Sequence, residues 1–487
     1  MIEDATAETP FVESRYRMTA ATPTPESVER RTIEHIPIDE RHGRARDLFT
    51  VWFGSNIMLL TIITGALATT VFGLPLWAGA LSVVLGNVVG AVVMALHAAQ
   101  GPQMGVPQML QTRAQFGSYG SLLVVVLVVF MYLGFFASNA VLGGQALAKV
   151  TGLPTSWAII VICAISVVAT MVGYRLIHRV TAILSVVAGG ALVVAFVWII
   201  GVNGVPDGTW HTDGFSWAGF MATLSVAALW QIAYAPYVSD YTRYMPRDTG
   251  QRAAFWGTYS GCVLGSVLPM LLGVLVGAAL PDDDTMEGLS TLTHGVSTGV
   301  FAIFAIGITA TNAMNLYCGT LSTITVGQNI FPTWSPRAGS RAAVSVVLCI
   351  IALVPALVSA DDFLANYANF LALLLCVLIP WTAVNLVDYY LLRHGHYDID
   401  ALFERDGGRY GRFNWVAIGC YFAGILVQIP FLSTTLFTGF VAEAIGHVDI
   451  SWIVGLVVIC PLYYVLMSPR MRSVDAADAV HGVESAA

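Results

Sequence analysis

Two kinds of side chain carry the chemistry of this chain: carboxamides and aromatic rings set in long apolar runs. Asn56, Asn139, Gln145, Gln231, Asn312, Asn315, Asn366 and Asn369 lie within such runs, together with Phe135, Trp230 and Tyr234. A carboxamide offers donors and acceptors at once, and an aromatic face stacks on a planar ring. The combination suits a flat, neutral solute that hydrogen-bonds through its edge. A solute carrying phosphate or carboxylate groups would call for a buried Arg or Lys, and mid-depth positions here hold almost no charge. A charge at the centre of a bilayer costs at least ~3 kcal/mol. Asp240 and Asp388 sit only near the ends of their runs, where Asp240 and Arg243 are expected to cap and anchor a helix.

Spacing sorts these residues into faces. Phe135 and Asn139 are four apart and share one side of a helix; each has a plainer alternative, core packing for the ring and a helix–helix hydrogen bond for the amide. Trp230 and Gln231 precede "IAYAP", and either could face a site. Gly307, Thr311 and Asn315 recur at four-residue steps, so a carbonyl, a hydroxyl and a carboxamide fall on one stripe. Gly54, Ser55 and Asn56 come early in another run. Hard oxygen donors of this kind suit Na⁺ without a buried carboxylate. The cysteines have no metal-site spacing, and the acidic stretch "PDDDTMEG" (281–288) lacks the second acidic cluster that Mg²⁺–diphosphate chemistry would need. A membrane enzyme and a channel are thereby disfavoured, and no cofactor is expected.

The elements that must hold these groups are membrane helices. The chain has 487 residues, 56% hydrophobic and 11% charged, against about 25% charged in soluble domains. Apolar runs long enough to span hydrocarbon predict twelve helices, near 48–72, 76–97, 119–148, 156–174, 181–202, 216–239, 254–280, 297–319, 341–359, 363–391, 413–433 and 451–467. With the N-terminus inside, every Arg falls on the inner side and Lys149 is the one basic exception, as the positive-inside rule requires. This places the protein in a cytoplasmic (inner) membrane with both termini inside. Residues 1–47 read as a mostly disordered tail, 48–467 as the transmembrane domain and 468–487 as a second tail. Pro236 cannot continue a helical hydrogen-bond ladder, so the sixth run is interrupted, and "WFGSN" marks an interruption in the first. Two broken helices five spans apart are what inverted repeats would supply, here about 48–202 and 216–391, with extra helices in 413–467.

Five stretches, in order, resemble the purine-cytosine permease family, the first of the nucleobase:cation symporter families. They are "WFGSN", "GPQMGVPQMLQTRAQFG" (101–117), "YAPYVSDYTRYMP", "NAMNLYCGTLS" (312–322) and "IPWTAVNLVDYY" (379–390) with "HYDIDALF". The resemblance implies an all-α fold like that of sodium-coupled amino-acid transporters, and cation-driven uptake of a nucleobase or a related heterocycle. It implies that Phe135 stacks on the solute, where several relatives carry Trp, and that Asn139 hydrogen-bonds it. Trp230 or Gln231 supplies a second contact, with Asn56 and Asn315 nearby and Asn369 on a mobile outer gate. The cation would lie among Gly54, Gly307 and Thr311. Sodium-coupled relatives have two adjacent hydroxyls where this chain has Ala310-Thr311, which leaves Na⁺ and H⁺ both open. The expected partners are the small neutral solute and the bilayer, with no nucleic acid; the sequence has no signature of an oligomeric state.

Overall fold

The structure is a computed structural model. It describes residues 33–172, 174–331, 333–334, 336–358, 363–434 and 436–484. Among the described residues the regular structure is helical, apart from an isolated bridge between Ser433 and Thr438. Ten helices are long and apolar enough to cross a membrane, and the bent pair Ala45–Asn56 and Leu59–Thr70 makes an eleventh span. The twelfth expected crossing, 413–433, is the shorter apolar helix Trp415–Phe431, which falls below that length. Asn414 caps its start through Val416 N at 3.2 Å, and Pro430 lies in its final turn, so the apolar run is longer than the helix it forms.

Two groups of four spans organise the molecule. Spans one, two, six and seven pack on one another, and so do spans three, four, eight and nine. Each group takes corresponding members from the two halves of the chain. Span five (Tyr174–Val197) lies against spans one and eight, while span ten (Phe363–Val387) lies mainly against the last two helices. Within the first group the backbones touch. A Cβ at Gly65 would overlap the Met270 carbonyl, and one at Gly273 would overlap that of Ile62. Glycine is required at both positions because no side chain fits between the first and seventh spans there. Between the two groups contact is sparse, and a cavity lies at that boundary.

The segments between and beyond the expected spans are also structured. The segment 98–118, between the second and third spans, contains the helices Gly101–Met104 and Gln108–Phe116, and every residue of the second is buried. Gln108 N donates to Asp240 Oδ1 at 2.9 Å, and Arg113 reaches the carbonyls of Leu402 and Thr325, each at 2.9 Å. The tail expected over 1–47 is ordered from residue 33. Ile33 and Ile36 are buried, and Ile36 N donates to the Gly105 carbonyl at 2.9 Å; residues 1–32 lie outside the described residues. The final helix runs Ser451–Glu484, past the expected boundary at 467. Within the acidic stretch 281–288, Asp284 caps the helix Thr285–Leu292 through Met286 N at 2.9 Å, and Glu287 meets Lys149 at 2.5 Å.

Candidate functional site

Both interruptions exist, and they differ. The first span bends by 62° at Ile57–Met58. The sixth is divided into Trp217–Ile232 and Ala235–Thr242 but does not reach a 40° bend. Short bonds bridge its break: Tyr234 N reaches the Gln231 carbonyl at 3.0 Å, and Tyr237 N the Tyr234 carbonyl at 2.9 Å. Pro236 lies in the first turn of the second half, where its missing N–H leaves no bond unmade. Its carbonyl accepts from Tyr132 OH of the third span at 2.9 Å.

The breaks face each other across a shared hydrogen bond. Trp230 Nε1 donates to Asn56 Oδ1 at 2.8 Å, and Ser266 Oγ donates to the same oxygen at 2.9 Å. Asn56 Nδ2 is turned back onto the Trp52 carbonyl at 2.6 Å. Asn56 is therefore the fastener between the two broken spans, and it does not line the cavity. Gln231 also points elsewhere, donating to Asn87 Oδ1 at 2.7 Å and to the Cys262 carbonyl at 3.3 Å. Of the two neighbours, Trp230 is the one that faces the cavity.

That cavity is nearly closed, with about 10 Å³ open to a molecule the size of water. Rings form most of its wall: Phe135, Trp230, Tyr234 and Tyr237, with Met58 and Ala233 from the breaks. Asn139, Asn315 and Thr311 supply its polar groups, and no charged side chain lines it. None of these residues is more than 8% exposed. The rings meet edge to face, Phe135 against Trp230 at 6.1 Å and Trp230 against Tyr234 at 6.1 Å, so the wall presents both faces and edges to the cavity. Asn315 accepts from Tyr237 OH at 2.7 Å and donates weakly to Asn312 Oδ1 at 3.4 Å. Asn312 itself bonds the Phe136 carbonyl at 3.1 Å, a helix–helix role. Asn139 differs from all of these. It is 1% exposed, and neither its Oδ1 nor its Nδ2 has a hydrogen-bond partner in the protein. Burying an amide without a partner costs about 1–3 kcal/mol, so this side chain is set up for something that the fold does not supply.

Span ten covers one side of the cavity. Phe370 lies edge-on to Phe135 at 5.3 Å, and Tyr367 OH shares a hydrogen bond of 2.8 Å with Thr64 Oγ1 of the first span. Asn369 is outside this closure. It lines a separate outer hollow of about 600 Å³ with Phe72, Leu229 and Thr434. The side chain of Asn366 lies outside the described residues.

The oxygen cluster gathers at the first break. Thr311 Oγ1 donates to the Ser55 carbonyl at 2.8 Å and lies 3.2 Å from the Gly307 carbonyl. The position of a Cβ on Gly307 would be 3.2 Å from the Ile57 carbonyl. Gly307 thus lets the eighth span approach the exposed end of the first half-helix. Gly54 has a packing role, since a Cβ there would overlap the Thr181 carbonyl of the fifth span. Thr309 Oγ1 turns back to Ala305 at 2.8 Å and cannot replace the hydroxyl missing at Ala310.

Residues 35–455 match the family described as permeases for cytosine/purines, uracil, thiamine and allantoin. The chain belongs to the purine-cytosine permease family. It is 40% identical over 449 residues to the putative purine-cytosine permease YxlA of Bacillus subtilis, covering 91% of this chain and 97% of that one. It is 23% identical over 461 residues to the purine-cytosine permease fcyB of Emericella nidulans, covering 88% and 86%. Among solved structures it matches Mhp1, a nucleobase-cation-symport-1 family transporter in a closed conformation with bromovinylhydantoin bound. The TM-score is 0.73 at 17% identity, over 92% of this chain and 96% of that one. The permease shares that fold, and as a member of its family it is a multi-pass membrane transporter and not an enzyme.

Sequence reasoning about the family site missed Met58, Ala233 and Tyr237. A signal for Tyr237 was present, since it lies one turn after Tyr234 and just past Pro236.

Proposed function

We propose that the permease imports a nucleobase, cytosine or a purine-like ring, or a related small planar heterocycle such as a hydantoin, by cation symport with alternating access. The observation that carries this is the unpartnered carboxamide of Asn139 in an uncharged cage of aromatic rings. An amide presents N–H and C=O together, which is the pattern on the edge of a lactam-containing heterocycle. Asn315, held by Tyr237, offers a second polar contact, and Phe135 and Trp230, set nearly perpendicular to each other, give the ring one face to stack on and one edge to pack against.

The coupling ion sits among the carbonyls of Ser55, Ile57 and Gly307 and the hydroxyl of Thr311. None of these groups can carry a proton at neutral pH, so Na⁺ fits them better than H⁺. The two broken-span halves form the moving group with spans two and seven, and span ten closes the outer side. The protein lies in the cytoplasmic membrane with its termini and Arg-rich loops inside, as the distribution of basic residues requires.

Thermal unfolding of the purified protein with a panel of nucleobases and hydantoins, with and without Na⁺, tests the reading. A true solute stabilises as RT ln(1 + [L]/Kd), and Na⁺ should enlarge its effect. A panel with no stabilising member rejects the solute class. Uptake driven by a proton gradient and indifferent to Na⁺ rejects the ion.

A further inference from the structure

A second cavity lies on the face that carries the N-terminal segment, far from the aromatic cage in sequence and composition. It is a groove of about 1030 Å³. Arg41, Arg247 and Arg409 line it with His35 and His396, against one acid, Asp398. Two of the guanidiniums have no carboxylate. Arg41 donates to the Ile36 and Pro102 carbonyls at 2.9 and 2.5 Å and meets His35 Nε2 at 3.0 Å. Arg247 reaches only Gln103 Oε1, at 3.0 Å. Among the described residues neither forms an ion pair. Asp398 is already engaged in capping Ala401 N at 3.1 Å.

The fold therefore brings like charges together and, among the described residues, leaves Arg41 and Arg247 without a carboxylate partner. Arg41 is also 8% exposed, and both burial and the nearby charge of Arg247 push its pKa below the ordinary arginine value. The groove also crosses a mechanical boundary. Arg41 leads into the first span, Gln103 follows the second, and Arg247 stands between the sixth and seventh, all on the moving group. The opposite wall, His396, Asp398 and Arg409, belongs to the loop after span ten.

We propose that this groove binds a phosphate-bearing anion, held by Arg41, Arg247 and Arg409, and that the bound anion ties the two walls together and slows transport. Guanidiniums match phosphate oxygens in pairs of parallel hydrogen bonds, and three can close on one group. The regulatory half rests on the alternating-access reading above; the binding half does not. The phosphate comes either from a soluble ester or from a lipid headgroup at the membrane surface.

Equilibrium dialysis of radiolabelled orthophosphate against the full-length protein in detergent, at constant ionic strength set with chloride, tests binding. Saturable binding is expected, weakened at least tenfold in Arg247→Gln, whose exposed side chain touches only Gln103. Arg409→Gln should weaken it similarly and guards against a local effect of the first variant. Binding no stronger than that of chloride, or equal binding by wild type and both variants, overturns the site. Displacement of orthophosphate by phosphatidylglycerol in mixed micelles, but not by phosphatidylcholine, assigns it to a headgroup; displacement by a nucleoside monophosphate alone assigns it to a soluble ester. In proteoliposomes, phosphate on the N-terminal side should slow uptake severalfold in wild type and not in Arg247→Gln; equal rates overturn the regulatory half. Nucleobase-induced stabilisation of both proteins, measured in parallel, reports on the aromatic cage alone, so failure there leaves the dialysis result standing.

Discussion

Asn139→Leu separates a ligand-binding amide from a structural one. In the protein alone the amide makes no hydrogen bond and is 1% exposed, so its removal breaks nothing. Replacing it with an apolar side chain of similar length relieves an unpaired donor and acceptor, worth about 1–3 kcal/mol. Crowding from the two bulkier methyl groups offsets part of this, since overpacking costs about 1–3 kcal/mol. The ligand-free variant should therefore unfold at the wild-type temperature or a few degrees above it. With ligand the balance reverses. Two hydrogen bonds to a heterocycle edge contribute about 0.5–1.5 kcal/mol each, so their loss should raise Kd roughly 5- to 150-fold. The assay is thermal unfolding in detergent with a titration of the best nucleobase or hydantoin, read as the ligand concentration needed for a fixed shift. If Asn139→Leu lowers ligand-free stability while leaving that concentration unchanged, Asn139 is a structural residue and the argument fails.

Asn56→Leu should behave in the opposite way. It leaves Trp230 Nε1 and Ser266 Oγ without their shared acceptor, and about 2–4 kcal/mol of stability should be lost by chemical denaturation; an unchanged midpoint would contradict its role as a fastener. Thr311→Val removes the hydroxyl beside the Ser55 and Gly307 carbonyls, so Na⁺ should no longer enhance ligand-induced stabilisation, and persistence of the full enhancement would move the ion elsewhere. Asp388→Asn withdraws the charge that receives Arg393 Nε at 2.9 Å, Tyr397 OH at 2.6 Å and Tyr463 OH at 3.0 Å. Breaking such a buried pair costs about 3–5 kcal/mol, and a loss of yield or of melting temperature without altered ligand selectivity is the expected result. Gly65→Ala should prevent assembly of the first and seventh spans, because the added methyl would overlap the Met270 backbone; normal membrane expression of this variant would refute the packing argument.

The apolar runs located most of the spans, because hydrocarbon thickness and backbone satisfaction leave few alternatives to a helix. Break positions were legible from composition, and the stripe of Gly307, Thr311 and Asn315 came through because an unbroken helix preserves its phase. Phase fails beside an interruption. Trp230 and Gln231 could not be ordered from spacing, and the structure resolves them through Asn87 and Asn56, partners from other spans. Asn56 illustrates a second limit. Its residue type announces hydrogen bonding but not with what, and only its neighbours Trp230 and Ser266 reveal an internal partner. The helix Gln108–Phe116 falls outside the expected spans because its glutamines and Arg113 look solvated; it is buried nonetheless, and Arg113 meets carbonyls contributed from far along the chain.

Closure over the cage can be shared between protein and guest. Tyr367 and Thr64 meet in a hydroxyl–hydroxyl contact of 2.8 Å, worth net about 0.5–1.5 kcal/mol, and Phe370 rests edge-on to Phe135 at 5.3 Å. By itself the hydroxyl contact biases closure by no more than roughly tenfold. A guest that reaches Phe370 would add its own contacts to this bias and so act as its own doorkeeper, whereas a solute too small to touch that ring would add none.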